Sequence, residues 1–345
     1  MLQAEESCGN SATGTYGGYY SSWSADIPPE LRWDSTRLNE ARELSWKIHG
    51  KKILFYLPGM YVRDGVQGQY PALSITGADC RQQCAHCGGK LLLNMPDVSS
   101  PQRLLQKCRD LMAQGAQGVL LSGGCNGRGQ VPWQDFTDTI AAIKQETGLY
   151  ISVHCGMVDD RAALALRRAG VDQALLDVIG SEKTYASVYH LPDGPQLLEQ
   201  SLEALATAEL PVVPHIVAGL HFGRFAGENH ALEILARHPP GLLVIVAYMN
   251  LAGTAMENVR QPDPRGVCGL VIRARELMPQ SQISLGCARP RRDASALEVL
   301  SLRAGINRMA LPSHEAAALA ARMGLQAEFR KTCCSVLLGE GTKGW

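Results

Sequence analysis

Between residues 72 and 311 the chain repeats one pattern: a short apolar run, a loop, then a longer segment whose apolar residues recur at helical spacing. The apolar runs are 72–75, 118–122, 150–154, 173–177, 212–218, 242–248, 282–285 and 308–311. The amphipathic segments between them are 101–114, 133–146, 160–169, 194–208, 229–236, 266–277 and 294–304. Strands alternating with helices predict parallel pairing and right-handed crossovers. Eight such units over roughly 250 residues match the size of a (β/α)8 TIM-type barrel. An open, doubly wound sheet is the alternative, and in both architectures a ligand binds at the carboxyl ends of the parallel strands.

The rest of the chain reads as extensions. Residues 1 to about 30 are rich in Gly, Ser and Tyr and form an arm, followed by a helix at 36–49 on which Leu38, Ala41, Leu44 and Ile48 share a face. The expected division is an N-terminal arm and helix (1–65), the barrel (66–325) and a C-terminal tail (326–345) that starts as a short strand. Lys plus Arg (33) balances Asp plus Glu (33), so no general attraction to nucleic acid or an anionic membrane is expected. No apolar stretch has the length of a membrane span and the first residues lack a secretory pattern, which predicts a cytoplasmic protein. Eleven cysteines, an odd number, then suggest metal and redox chemistry rather than a disulfide framework.

Three of those cysteines, Cys80, Cys84 and Cys87, follow the first apolar run with C-x3-C-x2-C spacing. Three thiolates so placed can hold three irons of a 4Fe-4S cluster and leave the fourth iron open for another ligand. A zinc knuckle is the competing reading, but His86 sits between two of the ligands, badly placed to complete a tetrahedron. The spacing, with His86 just before the third cysteine and Gly88 and Gly89 after it, resembles the radical S-adenosylmethionine superfamily. In that family the open iron chelates S-adenosylmethionine, and one electron cleaves it to a 5'-deoxyadenosyl radical.

Further positions gain meaning from this resemblance. Gly123 and Gly124 match the glycines that receive the methionine ammonium, although Cys125 stands where the family has an acid. Asp177, ending the fourth apolar run, matches an acid that accepts from the ribose hydroxyls. Residues 247–254 resemble a segment that contacts adenine. Cys125, Cys155 and Cys287 each follow an apolar run and His215 lies within one. In biotin synthase, an auxiliary cluster is held by residues at corresponding strand positions, so the resemblance implies a second iron-sulfur cluster on these residues. Cys108 and Cys268 read as packing. Cys333 and Cys334 are a separate signal: either can pair with Cys8 or carry sulfur as a persulfide. Arg289, Arg291 and Arg292 form a basic loop suited to a carboxylate or an acidic partner, or simply to solvent.

Taken together, the motifs resemble a biotin synthase-related group that includes the two-protein lipoyl synthases. The resemblance implies hydrogen abstraction from an unactivated C–H and sulfur insertion into a protein-bound octanoyl chain. Biotin synthase-like insertion into a small molecule, and radical rearrangement with a single cluster, are the alternatives. It also implies a reductant such as ferredoxin or flavodoxin, an acylated carrier protein and a paralogous radical partner. An iron-sulfur electron carrier has no use for a barrel of this size or a ribose-binding acid.

Overall fold

The structure is a computed structural model that describes residues 24–291 and 294–337. All eight expected strands are present: β4 (Ala72–Ser74), β5 (Gly118–Ser122), β6 (Tyr150–His154), β7 (Gln173–Asp177), β8 (Val212–Ala218), β9 (Leu242–Ala247), β10 (Gln282–Leu285) and β11 (Arg308–Ala310). They pair in parallel and in chain order, with no switch point, so the sheet curls as a TIM-type barrel wall rather than winding both ways. Two more parallel strands extend the far edge: β1 (Lys52–Tyr56) lies between β11 and β12 (Gln326–Arg330). A small antiparallel hairpin, β2 (Val62–Arg63) and β3 (Val66–Gln67), stands apart from the main sheet.

The β1 strand was not among the expected strands, because its residues fall in the stretch read as arm and helix. Its sequence, Lys-Ile-Leu-Phe-Tyr, has too few residues to show a period, and its partners lie more than 250 positions away, at Arg308 and Gln326. The edge strands β4 and β12 share no ladder among the described residues. Instead Gln69 spans the gap: its N–H donates to the Lys331 carbonyl (2.6 Å), and its own carbonyl accepts from Gln117 (2.9 Å).

Local chemistry explains the helices. Asp34, Ser100, Asp159 and Ser313 cap four of them by accepting a hydrogen bond from the backbone N–H three residues on. Pro101 and Pro264 open two, where a missing N–H costs nothing. The helix His314–Arg322, which the sequence pattern had not suggested, is Ala-rich and packs before β12.

Both faces of the sheet are buried, and residues alternate between them. Leu243, Ile245, Ala247, Ile53 and Phe55 join the large core between sheet and helices. Leu242, Val244, Val246, Tyr56, Leu175, Val213 and Ala310 form a second cluster inside the curl. This is the double burial expected of a parallel sheet.

Glu228 shows how the fold braces one loop of the mouth. Only 7% exposed, it accepts from the N–H of Gly219 just past β8 (2.8 Å) and of Ala226 (2.7 Å). Burial pushes its carboxyl up to about 7, against the pull of those backbone donors. A raised folded value means the folded state binds the proton more tightly. The resulting stabilisation is complete below pH about 4.3 and lost as pH rises to about 7, a change of about 3 kcal/mol. Unfolding free energy measured against pH for the native chain and Glu228→Gln is expected to converge toward low pH, with the native chain losing ground across that window. Parallel curves would contradict this.

Candidate active site

The loop after β4 carries the cysteine triad, and the loop after β5 carries the glycines. They are locked together. Thr76 accepts through its hydroxyl from the Gly124 N–H (2.7 Å) and donates to the Asp79 carbonyl (2.9 Å). The N–H groups of Arg81 and Gln82 donate to the Cys125 carbonyl (2.8 and 3.1 Å). A Cβ at position 124 would overlap the Asp79 carbonyl oxygen, so only glycine allows this approach. Around the triad the chain turns tightly, with Cys87 and Gly88 both donating to the Cys84 carbonyl (3.1 and 2.8 Å). Gly89, at φ +74°, takes the left-handed backbone that ends the turn and leaves room beside Cys80.

These loops wall a cavity of roughly 260 Å³ at the carboxyl ends of the strands, where both candidate architectures would place a ligand. Cys80, Cys84, His86, Cys87, Gly123, Cys125, His154, Leu175, Asp177 and Tyr189 line it. The ligand atoms of Cys84, His86 and Cys87 lie within 4.8 Å of one another. Hydrogen bonding from Cys84 holds the Cys87 thiol well below its ordinary value, and the same bond with burial pushes Cys84 up. The His86 Nδ1 is buried with no hydrogen-bond partner among the described residues.

Asp177 sits opposite, its carboxylate accepting from the Tyr189 hydroxyl (3.2 Å). Tyr189 also stacks obliquely against His86, ring centres 5.2 Å apart. Its carbonyl accepts from Gln82, whose own carbonyl oxygen accepts from Gly129 (3.0 Å). One tyrosine therefore ties the triad loop to the acid.

Sequence reasoning missed Tyr189, which lies in a turn of π-helix at Tyr185–Tyr189 with no pattern of its own. It also missed His154. Strand parity was the available signal: His154 shares the face of Ser152 in β6 and points inward, as do Asp177 and its register neighbour His215. The His154 and His215 rings are 5.4 Å apart. Burial lowers both, His215 to about 4, so at neutral pH they present uncharged imidazoles to the interior.

The four residues expected to hold a second cluster are not gathered. Cys125 lines the cavity near Cys80 and Cys87, and burial pushes its thiol up to about 12. Cys155 is one residue past inward-facing His154, so it faces the sheet–helix core, fully buried, and its thiol donates to the Leu175 carbonyl (3.3 Å). His215 faces the interior, with Nδ1 against the Val213 carbonyl (3.1 Å). Cys287 packs against the inner cluster. Among the described residues no metal-binding group combines these four.

The basic loop also resolves differently from a free patch. Arg289 is fully buried, paired to Glu298 (2.6 Å) and donating to the carbonyls of Gly286, Ala310 and Leu311. Arg291 donates to the Cys287 carbonyl (2.8 Å). Arg292 and Cys8 lie outside the described residues.

Comparison with known proteins places this geometry. No family model matches the sequence. The chain is 26% identical to biotin synthase 2 of Paracoccus denitrificans over 63% of its length and 69% of that protein. It is 22% identical to the biotin synthase of Hyphomonas neptunium over 82% of its length and 89% of that protein. These similarities support a radical S-adenosylmethionine protein of the biotin synthase-related group. Its fold matches methylornithine synthase (PylB), TM-score 0.61 at 15% identity, covering 88% of this chain and 92% of that one. It also matches the FeFe-hydrogenase maturase HydG of Carboxydothermus hydrogenoformans, TM-score 0.60 at 15% identity, covering 87% and 74%.

The similarity to biotin synthases implies a 4Fe-4S cluster and S-adenosylmethionine. The residues present fit them: Cys80, Cys84 and Cys87 stand on one short loop beside the cavity, and the His86 Nδ1 there is a buried nitrogen without a partner among the described residues. No helix among the described residues is long and apolar enough to cross a membrane.

Proposed function

We propose that this chain inserts sulfur at an unactivated C–H of a protein-bound octanoyl chain, as a lipoyl synthase-like radical S-adenosylmethionine sulfurtransferase. Cys80, Cys84 and Cys87 would hold the 4Fe-4S cluster, which supplies the electron that cleaves S-adenosylmethionine to a 5'-deoxyadenosyl radical. Gly123 and Gly124 offer backbone carbonyls to the methionine ammonium. Asp177, oriented by Tyr189, takes the ribose hydroxyls. His86, beside Tyr189, closes the side of the cavity nearest the triad.

The observation that carries the substrate class is the interior wall next to this cavity. Leu175 lines the cavity and also belongs to the inner apolar cluster with Val213, Val244 and Val246. Such a wall suits an alkyl chain, excludes water and holds it by area rather than by polar contacts. Arg289, a guanidinium of the kind that holds a small carboxylate substrate, is already committed to Glu298. A ferredoxin- or flavodoxin-type reductant, an acylated carrier protein and a paralogous radical protein are the proposed partners.

The test is direct. Anaerobically reconstituted chain is given S-adenosylmethionine, a reductant and an octanoylated carrier domain, with and without the paralogue. A sulfur-sized mass gain on the octanoyl group supports the proposal. Thiolation only of the small-molecule precursor of biotin would move the assignment to biotin synthesis, and rearranged product without sulfur would end both. Within the same assay, Asp177→Asn is expected to raise the KM for S-adenosylmethionine about tenfold, since one charge-assisted hydrogen bond contributes about 1.5 kcal/mol or more. An unchanged KM would remove Asp177 from the ribose site.

A further inference from the structure

A second chamber lies beside the catalytic cavity. It holds roughly 390 Å³ between the loops after β4, β5 and β6 and the start of the helix Asp160–Arg168. Cys125, Val131 and Met157 line both chambers, so the two meet across these three side chains. The loops that carry them are paired: the Met157 N–H donates to the Gly129 carbonyl (2.8 Å), and Gln130 and Gly156 form an isolated bridge. Gly156, at φ +63°, lets the loops come this close, since a Cβ there would overlap the Gly129 carbonyl oxygen.

Met157 is the adaptable part of the partition. Its side chain is unbranched with three rotatable bonds, and its sulfur lies 3.7 Å from the Ser201 hydroxyl. That hydroxyl already donates to the Leu197 carbonyl at 2.6 Å, a better acceptor than a thioether. Packing alone therefore holds Met157 between the chambers, and a change of rotamer there widens the junction.

Polarity in the outer chamber is graded. Asp79, Arg81, Asn126, Gln134 and Asp159 are exposed at its rim, whereas Val131, Trp133, Met157 and Val158 are buried at its depth. The gradient matches a ligand with an alkyl tail and a polar end, whose carbonyl and N–H the guanidinium and amide side chains of the rim can hold. Space points the same way. A drug-sized ligand takes a pocket of about 300–1,000 Å³, so the roughly 260 Å³ beside the triad does not hold S-adenosylmethionine and an acyl chain together.

We propose that the outer chamber is the entrance for the acylated carrier. The alkyl chain passes between Cys125 and Met157 towards the wall at Leu175, while its amide and the carrier polypeptide stay at the rim. This deepens the octanoyl reading and rests on it, because it names the route by which that chain reaches the radical.

The experiment gives the anaerobically reconstituted chain S-adenosylmethionine, a reductant and a carrier domain whose octanoyl group is fully deuterated. Deuterium recovered in 5'-deoxyadenosine reports that the alkyl chain has reached the radical, whether or not sulfur follows. Ala162→Trp puts an indole into the outer chamber, and Leu164→Trp, on the same helix but 41% exposed and outside the chamber, is the control. Keeping about two methylenes out of the apolar depth corresponds to about tenfold in affinity, and Ala162→Trp is expected to raise the KM for the carrier by that factor. The KM for S-adenosylmethionine is expected to change little in either variant, and Leu164→Trp to keep the native KM for the carrier. An unchanged KM for the carrier in Ala162→Trp overturns the inference, and so does a rise confined to S-adenosylmethionine, which would assign the chamber to the cofactor. If Ala162→Trp does not fold, Gln134→Trp, at the exposed rim, replaces it with the same expectation. Deuterium transfer without thiolation removes the sulfur-insertion reading and leaves the entrance standing, whereas no transfer from the native chain removes both.

Discussion

Changing Cys80, Cys84 or Cys87 to Ala is expected to drop S-adenosylmethionine cleavage to background, the largest loss of activity available from a single residue in this chain. The three thiols sit on one tight turn whose backbone is fixed from several sides by Thr76, Cys125 and Val188. Loss of one ligand therefore cannot be repaired by a shift of the loop. The remaining candidate nearby, Cys125, has its thiol pushed up by burial and by Cys80 and Cys87, and is a poor substitute. Deoxyadenosine release in the presence of a strong reductant measures the effect. Because the cofactor carries the difficult chemistry and the protein supplies orientation, a variant that keeps substantial cleavage would show that the cluster is held elsewhere. Backbone stability should change little, since these side chains line a cavity rather than fill the core.

Glu298→Ala is expected to cost about 3–5 kcal/mol of folding stability, the range for removing one partner of a buried ion pair. Glu298 is 1% exposed and Arg289 is fully buried, with 2.6 Å between them. The second carboxylate oxygen accepts from the Ser313 N–H (2.8 Å), at the cap of the helix His314–Arg322. Removal of the carboxylate strands a guanidinium between β10 and β11 and loosens that cap at once. Denaturant titration of the variant against Glu146→Ala, which breaks an exposed pair with Arg109, makes the contrast. Similar midpoints for the two variants would mean that water reaches Arg289 and that the pair is not buried in solution. The same change should disturb the Cys287 loop, because Arg289 also ties that loop to the ends of β10 and β11 through Gly286 and Ala310.

The glycine and cysteine loops were legible early because their chemistry is local. Cys80, Cys84 and Cys87 lie within one turn of chain, and Gly123–Gly124 directly follow a strand, so spacing alone carries the signal. The strands and helices were legible for the same reason: each displays its own period within a dozen residues, and the observed boundaries depart from the expected ones by one or two residues in most elements.

What spacing does not carry is which way a side chain points and what a distant segment touches. Cys155 looked equivalent to Cys125 because both follow a strand, yet one step of parity past His154 turns it into the outer core. Arg289 read as part of a basic loop until Glu298, nine positions on, closed over it. The β1 strand has no partner near it in sequence and takes its place only when β11 and β12 are already side by side.

From its amino-acid order this chain determines its repeated β/α units, its triad of adjacent thiols and the acid at the end of β7, all set by contacts among neighbours. Tertiary structure alone decides that the tail carries Cys334 into the inner cluster with Tyr56 and Leu175, because closing that long loop requires the whole barrel to form first and the tail then to be held by Arg308, Gln173 and Tyr150.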